Sequence, residues 1–456
     1  VKVVLIHPAQ SERVSGRGRI YNRVWPPLDL ATTGAGLRAD GHDVHVIDAN
    51  ALGLSAATVA QRVADLAAHV VCVTSSALDR WQCPALDLSP LLAVMSAVRP
   101  HTTRLYLLGS HGTVRPEEML TLTGADAVVR GEPEAIVRAL IAAGHPRGVA
   151  GTTWVNDGMP VHEPDAHAIR LVDLPAPDLS RLPMDRYYYE VLGDHFTLFE
   201  MSRGCASECS FCLLDTYGVG VRRKPLDHLI AEVRHAVEAH GVRTAYFIDL
   251  EFTVLRAQVL DLCRALVALR LPLTWCCQTR LDLVDDELLD WMRRAGCRLI
   301  HAGVEAGSDR VLAATGKGLT LAQIRDGHQR IRAAGIETAL FFLFGLPGMT
   351  RADAADIERL AHELAPTYPL FHVAAPYPGT AMYNSVTTGS TWRFSDDGVF
   401  PEGVEGPLTL PEIKALVRGA YRRYYLRPRY VWDRVRAGRM DLLWQQGRLF
   451  LDFVRR

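Results

Sequence analysis

Lysine is nearly missing from this chain of 456 residues, with only Lys2, Lys224, Lys317 and Lys414, so almost all positive charge is arginine. Basic and acidic residues balance to a formal net charge of −1, and no block of basic residues stands out. That excludes an electrostatic nucleic-acid binder. Long apolar runs are also lacking: nothing approaches the roughly 20 residues that span a bilayer, so a soluble protein is expected. No apolar leader is evident, and the nine cysteines are odd in number and scattered. They read as reduced thiols of a cytoplasmic protein rather than as a disulfide framework. No G-x-G-x-x-G follows the first apolar run, which leaves a nicotinamide cofactor with little support.

What is present is alternation. Short apolar runs over 1–7, 43–47, 70–73, 105–108 and 127–129 are separated by helical patterns such as 30–41. Strand and helix in turn imply a parallel sheet covered on both faces. In such a sheet ligands sit beyond the carboxyl ends of the strands. The loops there are 7–10, Thr74-Ser75-Ser76, Gly109-Ser110-His111-Gly112-Thr113 and Arg130-Gly131-Glu132. Taken alone, their small residues are ordinary turn chemistry.

Residues 152–161 read as a hairpin turning at Asn156-Asp157-Gly158, and the prolines around 175–183 stiffen a connection. Strand and helix then alternate again, with strands expected over 196–201, 244–248, 273–277, 299–304, 337–344 and 369–375. Catalytic groups of such a barrel belong at the carboxyl ends of its strands. Beyond residue 380 the pattern fades into amphipathic helices over 410–426 and 431–454. Their mixed rather than strongly basic charge favours packing on the barrel over contact with a lipid surface.

Cys205, Cys209 and Cys212 fall within eight residues, spaced C-x3-C-x2-C with Phe211 before the last. Three thiolates can grip one cluster and leave one iron without a protein ligand. A closed zinc site is the competing reading; it needs a fourth ligand from His195, Asp215, His228 or a distant cysteine, and no second C-x-x-C exists. The remaining cysteines are most simply small buried hydrophobes.

The cysteine motif resembles the signature of radical S-adenosylmethionine (SAM) enzymes. The first domain is similar to the cobalamin-binding domain of the B12-dependent members, through Pro26-Pro27-Leu28, Gly41-His-Asp-Val, Gly109-Ser-His-Gly-Thr and Arg130-Gly-Glu-Pro-Glu. The resemblance implies an α/β chain: a Rossmann-like cobalamin-binding domain (1–145), a hairpin and proline-rich linker (146–195), a partial (β/α)6 radical SAM barrel (196–385) and a small helical C-terminal region (386–456). It implies a [4Fe-4S] cluster on Cys205, Cys209 and Cys212, with Phe211 beside it. SAM would meet Asp249 and Glu251, Asp249 the stronger, then Gln278, Arg280, Glu305 and Ser308, with Gly345 and Pro347 shaping the wall against adenine. Cobalamin would meet Pro26, Pro27, Leu28, Thr74, Ser75, Ser76, Gly109, Ser110, His111, Gly112, Thr113, Gly131 and Glu132.

The D-x-H-x-x-G motif of cobalamin mutases is absent, so His111 is read as a loop hydrogen-bonding residue rather than a cobalt ligand, and Trp81 as core. Tyr377, Tyr383, His301 and Glu208 border the expected cavity and are read as structural; no acid or base is named. The implied reaction is methylation of an unactivated carbon, or phosphorus, of a small natural-product intermediate through a 5′-deoxyadenosyl radical and methylcobalamin. The alternative keeps both cofactors for a ring contraction, cyclisation or rearrangement. A flavodoxin or ferredoxin would supply electrons to a monomer.

Overall fold

The computed structural model describes residues 1–9, 23–385, 391–394 and 400–436. A first sheet of seven strands runs in the order Asp43–Asp48, Lys2–His7, Val70–Thr74, Arg104–Leu108, Ala127–Val129, Thr152–Asn156, Met159–His162. The first five are parallel and the last two antiparallel. The hairpin read from the sequence as part of the connection therefore extends this sheet. The five parallel strands follow the doubly wound order 2-1-3-4-5, whose ligand crevice opens where the order reverses, beyond His7 and Thr74. Separate apolar clusters fill the two faces, one around Val4, Ile6 and Val73 and the other around Val3, Leu5 and Val70.

The second sheet has six parallel strands in chain order: Phe196–Phe199, Thr244–Phe247, Thr274–Gln278, Cys297–Glu305, Glu337–Phe344 and Tyr368–Val373. Helices join them, the first being Leu226–His240. This is the expected partial barrel, with one bulge between Gly303 and Glu305 and another between Trp275 and Cys276. After it, helix Leu410–Tyr425 lies against the last strand. There Phe371 N donates to Tyr421 Oη at 3.0 Å and Tyr424 Oη donates to Pro366 O at 2.6 Å. The helix thus packs on the barrel, as its mixed charge led us to expect. Of the second expected C-terminal helix, Pro428–Arg436 is described and 437–454 lies outside the described residues. No helix among the described residues is long and apolar enough to cross a membrane.

The two sheets share a core. Val24, Trp25, Leu28, Leu78 and Trp81 of the first unit belong to the same apolar cluster as the barrel interior. Trp25 stacks on Phe196 at 5.5 Å and meets Tyr189 and Tyr246 edge-on. Aromatic contacts of this kind fix relative orientation as well as burying area.

Candidate functional site

The cysteine loop leaves the first barrel strand through Ser202-Arg203, which pairs antiparallel with Arg222-Arg223. Gly204 follows with φ +83°, and a Cβ there would lie 2.1 Å from Gly220 O, so only glycine lets the loop close on itself. Ser207 N donates to Cys205 Sγ at 3.3 Å, and Gln82 Nε2 of the first unit donates to Cys212 Sγ at 3.5 Å. Burial pushes the Cys205 thiol up to about 11 and raises those of Cys209 and Cys212. Negative charge on Cys83, Cys209 or Cys205 would raise Cys212 further. Iron binding would displace their protons.

Among the described residues no three His, Cys, Asp or Glu side chains converge tightly enough for a single metal ion. Three thiols of one loop suit a multi-iron cluster, in which each binds a different iron. Phe211 packs half-buried against the core beside them.

The groups expected to hold SAM divide. Glu251 accepts from Ser207 Oγ at 2.7 Å and stands 4.0 Å from Arg280 Nε. Arg280 also donates to Ser207 Oγ (3.3 Å) and Lys317 O (2.7 Å) while forking onto Asp282. Gln278 is the next polar group inward, within 3.5 Å of Tyr246 Oη and donating to Leu250 O at 3.4 Å. Glu305 adopts φ +67° at the bulge and pairs with Lys317 Nζ at 2.6 Å. Glu251, Gln278, Arg280, Glu305 and Lys317 thus stand around the cysteine loop at the strand ends.

Asp249 turns elsewhere. It accepts from Met201 N (3.1 Å) and Ser202 Oγ (2.5 Å), and burial raises its carboxyl to about 7. It braces two strand ends, so the geometry favours Glu251 over Asp249, reversing the order expected from the sequence. Ser308 caps helix Asp309–Ala314 by accepting from Val311 N. Gly345 and Pro347 line a cleft against Val404, Leu408 and Ile413, and a Cβ on Gly345 would meet Ile413 at 2.9 Å. The C-terminal region thus closes against this turn.

In the first unit the loops at the crevice are knitted together. Thr74 Oγ1 donates to Ser76 O (2.7 Å), Ser110 N donates to Ser76 Oγ (2.8 Å), and Thr113 Oγ1 accepts from Gly131 N (3.0 Å). Gly109, at φ +100°, brings Ser75 Oγ within 2.7 Å of where a Cβ would stand. Gly112 admits Val128 in the same way, a helix-to-strand contact. His111 is fully buried, with Nδ1 3.0 Å from Ser75 Oγ and Nε2 2.7 Å from Ala85 O. The carbonyl requires Nε2–H, so Nδ1 accepts and neither nitrogen faces a metal. Pro26, Pro27 and Leu28 are buried, Leu28 in the core shared with the barrel. Trp81 is likewise fully buried, as core.

Glu132 is engaged by ion pairs across the two units. With Glu134 it reaches the barrel: Arg203, 1 % exposed, forks onto Glu134 (2.6 and 3.2 Å), bonds Glu200 (2.7 Å), and lies 3.8 Å from Glu132. Arg222 pairs with Glu132, which also accepts from Ile169 N. The segment Arg130-Gly-Glu-Pro-Glu, read as part of a ligand loop, is thus a clamp between the units, and it grips the residue just before Gly204-Cys205. Sequence reasoning missed Arg203, Lys317 and Gln82; the arginine preceding the motif was the one visible signal.

Tyr377 Oη donates to Pro84 O and Tyr383 Oη accepts from Arg115, further joins between the units. His301, pushed down to about 4 by burial, sits 3.0 Å from Tyr189 Oη and 3.4 Å from Cys277 O. Cys83, expected from the sequence to be a small buried hydrophobe, is exposed. The crevice end of the first unit meets the cysteine loop directly, through Gln82 on Cys212 and through Tyr217 Oη, which donates to Leu78 O at 2.8 Å.

Comparison with known proteins agrees with this geometry. The Radical SAM superfamily matches residues 199–361 and the B12 binding domain matches residues 20–141. An uncharacterized methyltransferase of Pyrococcus horikoshii is 27% identical over 441 residues, covering 94% of this chain and 93% of its own. The anaerobic magnesium-protoporphyrin IX monomethyl ester cyclase of Cereibacter sphaeroides is 28% identical over 447 residues, covering 94% of this chain and 71% of its own. The solved structure of the radical SAM methyltransferase TsrM from Kitasatospora setae superposes with a TM-score of 0.72 at 19% identity, covering 94% of this chain and 89% of that one. A B12-binding domain joined to a radical SAM domain places this chain among the cobalamin-dependent radical SAM enzymes.

Proposed function

We propose that the protein is a B12-dependent radical SAM methyltransferase acting on an unactivated carbon, or on phosphorus, of a small natural-product intermediate. The observation that carries this reading is the direct contact between the crevice end of the B12-binding unit and the cysteine loop of the barrel, through Gln82 and Tyr217. When bound, the cofactors supply a 5′-deoxyadenosyl radical for C–H abstraction and a cobalt-borne methyl group for transfer.

The chain's own work is to bind, orient and exclude water. Cys205, Cys209 and Cys212 would hold the cluster. Glu251 and Gln278 offer acceptors for an ammonium, and the Arg280 fork suits a carboxylate. Glu305, fixed by Lys317, faces the same space. The knitted loops 74–76 and 109–113 present a rigid floor for the corrinoid, and neutral His301 with Tyr189 and Tyr246 gives the barrel an uncharged aromatic lining. Such packing excludes water from the barrel interior. The division at 1–145, 146–195, 196–385 and 386–456 fits this reading, with the 152–162 hairpin assigned to the first unit. A flavodoxin or ferredoxin would deliver electrons to a cytoplasmic monomer.

The cyclase relative favours one second reading, in which both cofactors serve a cyclisation or rearrangement without methyl transfer. Anaerobic reconstitution with iron, sulfide and cobalamin, then incubation with methyl-labelled SAM, separates the two. Methionine and 5′-deoxyadenosine should form, and the label should reach the product; unlabelled product would select the second reading. Cys205→Ala, Cys209→Ala and Cys212→Ala should each abolish SAM cleavage, and activity retained in any one contradicts the assignment.

A further inference from the structure

Cys205 receives its N–H from Ser207, inside its own loop, whereas Cys212 receives one from Gln82, a residue 130 positions away in the B12-binding unit. Gln82 is held in place from both sides. Trp81 O accepts from Ser110 Oγ (2.8 Å), Leu78 O accepts from Tyr217 Oη (2.8 Å), and the Arg203 clamp fastens the two units beneath. A hydrogen bond to a cluster sulfur stabilises the more negative, reduced state and so raises the reduction potential.

From this geometry we infer that Gln82, a residue of the B12-binding unit, is a positioning residue that tunes the reduction potential of the cluster on the barrel. The inference rests on the reading that Cys212 binds iron.

The test is an EPR-monitored redox titration of the full-length, anaerobically reconstituted protein with cobalamin bound. Gln82→Leu removes the donor at similar volume and should move the midpoint to more negative potential. Gln82→Lys restores a donor and adds charge and should move it to more positive potential than native. A merely structural residue would shift both variants the same way or neither, and a native midpoint in Gln82→Leu overturns the inference. Iron content separates the two levels: if the native protein assembles no cluster, the functional reading itself fails, whereas intact clusters with identical midpoints refute only the role of Gln82.

Discussion

Removing Arg203 should be among the most damaging single changes available outside the cysteines. Its guanidinium is 1 % exposed and meets Glu134 and Glu200, themselves 2 % and 3 % exposed, with its plane 5.2 Å from the Trp81 ring. Arg203→Met keeps much of the volume but leaves two buried carboxylates without that partner, a loss of about 3–5 kcal/mol. Against total stabilities of about 5–15 kcal/mol this is a large share. Glu134→Gln should cost far less. Glu132, Glu134 and Glu200 face Arg203 and Arg222, so three negative charges meet two positive ones. Losing one negative charge leaves that set balanced and forfeits one charge-assisted hydrogen bond, about 1.5–3 kcal/mol gross and less after the relief. Urea midpoints followed by circular dichroism give the ranking, and hydrogen exchange across 204–223 shows whether the cysteine loop is where protection is lost. If Arg203→Met lies within about 1 kcal/mol of native, or costs no more than Glu134→Gln, the clamp is not holding the units together.

Gly204→Ala forces a Cβ to 2.1 Å from Gly220 O in a left-handed backbone, and should lower the iron bound on reconstitution while the barrel still folds, as iron assay and far-UV dichroism will report. Arg280→Lys loses the fork that joins Ser207, Lys317 O and Asp282, and should raise KM for SAM on the order of tenfold with a smaller change in kcat. Asp249 and Asp29 are both raised by burial to about 7, so the native state holds protons that the unfolded chain releases near pH 4. Their contribution to stability therefore falls as pH rises from about 4 to 7. Asp249→Asn should flatten that slope in a pH series of thermal melts; an unchanged slope would falsify the assignment.

Both sheets and the cysteine motif were legible in the sequence because apolar period and ligand spacing are local properties. Side-chain direction past a strand end is not. Asp249 and Glu251 are two residues apart in one loop, yet one turns back to brace Ser202 and the other faces the cysteines, and nothing in the pattern sets that choice. Ser308 could have been read as a cap, since an acidic residue and a short helix follow it. Glu132 could not, because its partner Arg222 lies 90 residues away. The contact of Gly345 with helix Leu410–Tyr425 was not legible either, because that helix carries no signal of where it docks.

The glutamates that complete the grip on the cysteine loop are made first. Residues 132 and 134 leave the ribosome some 70 positions before Arg203, so a folded first unit is already presenting carboxylates when the arginine emerges. A barrel produced without that unit would have six strands but a loop held on one side only. Maturation with iron is therefore a property of the joined chain, and separating its halves would disarm the part that looks self-sufficient.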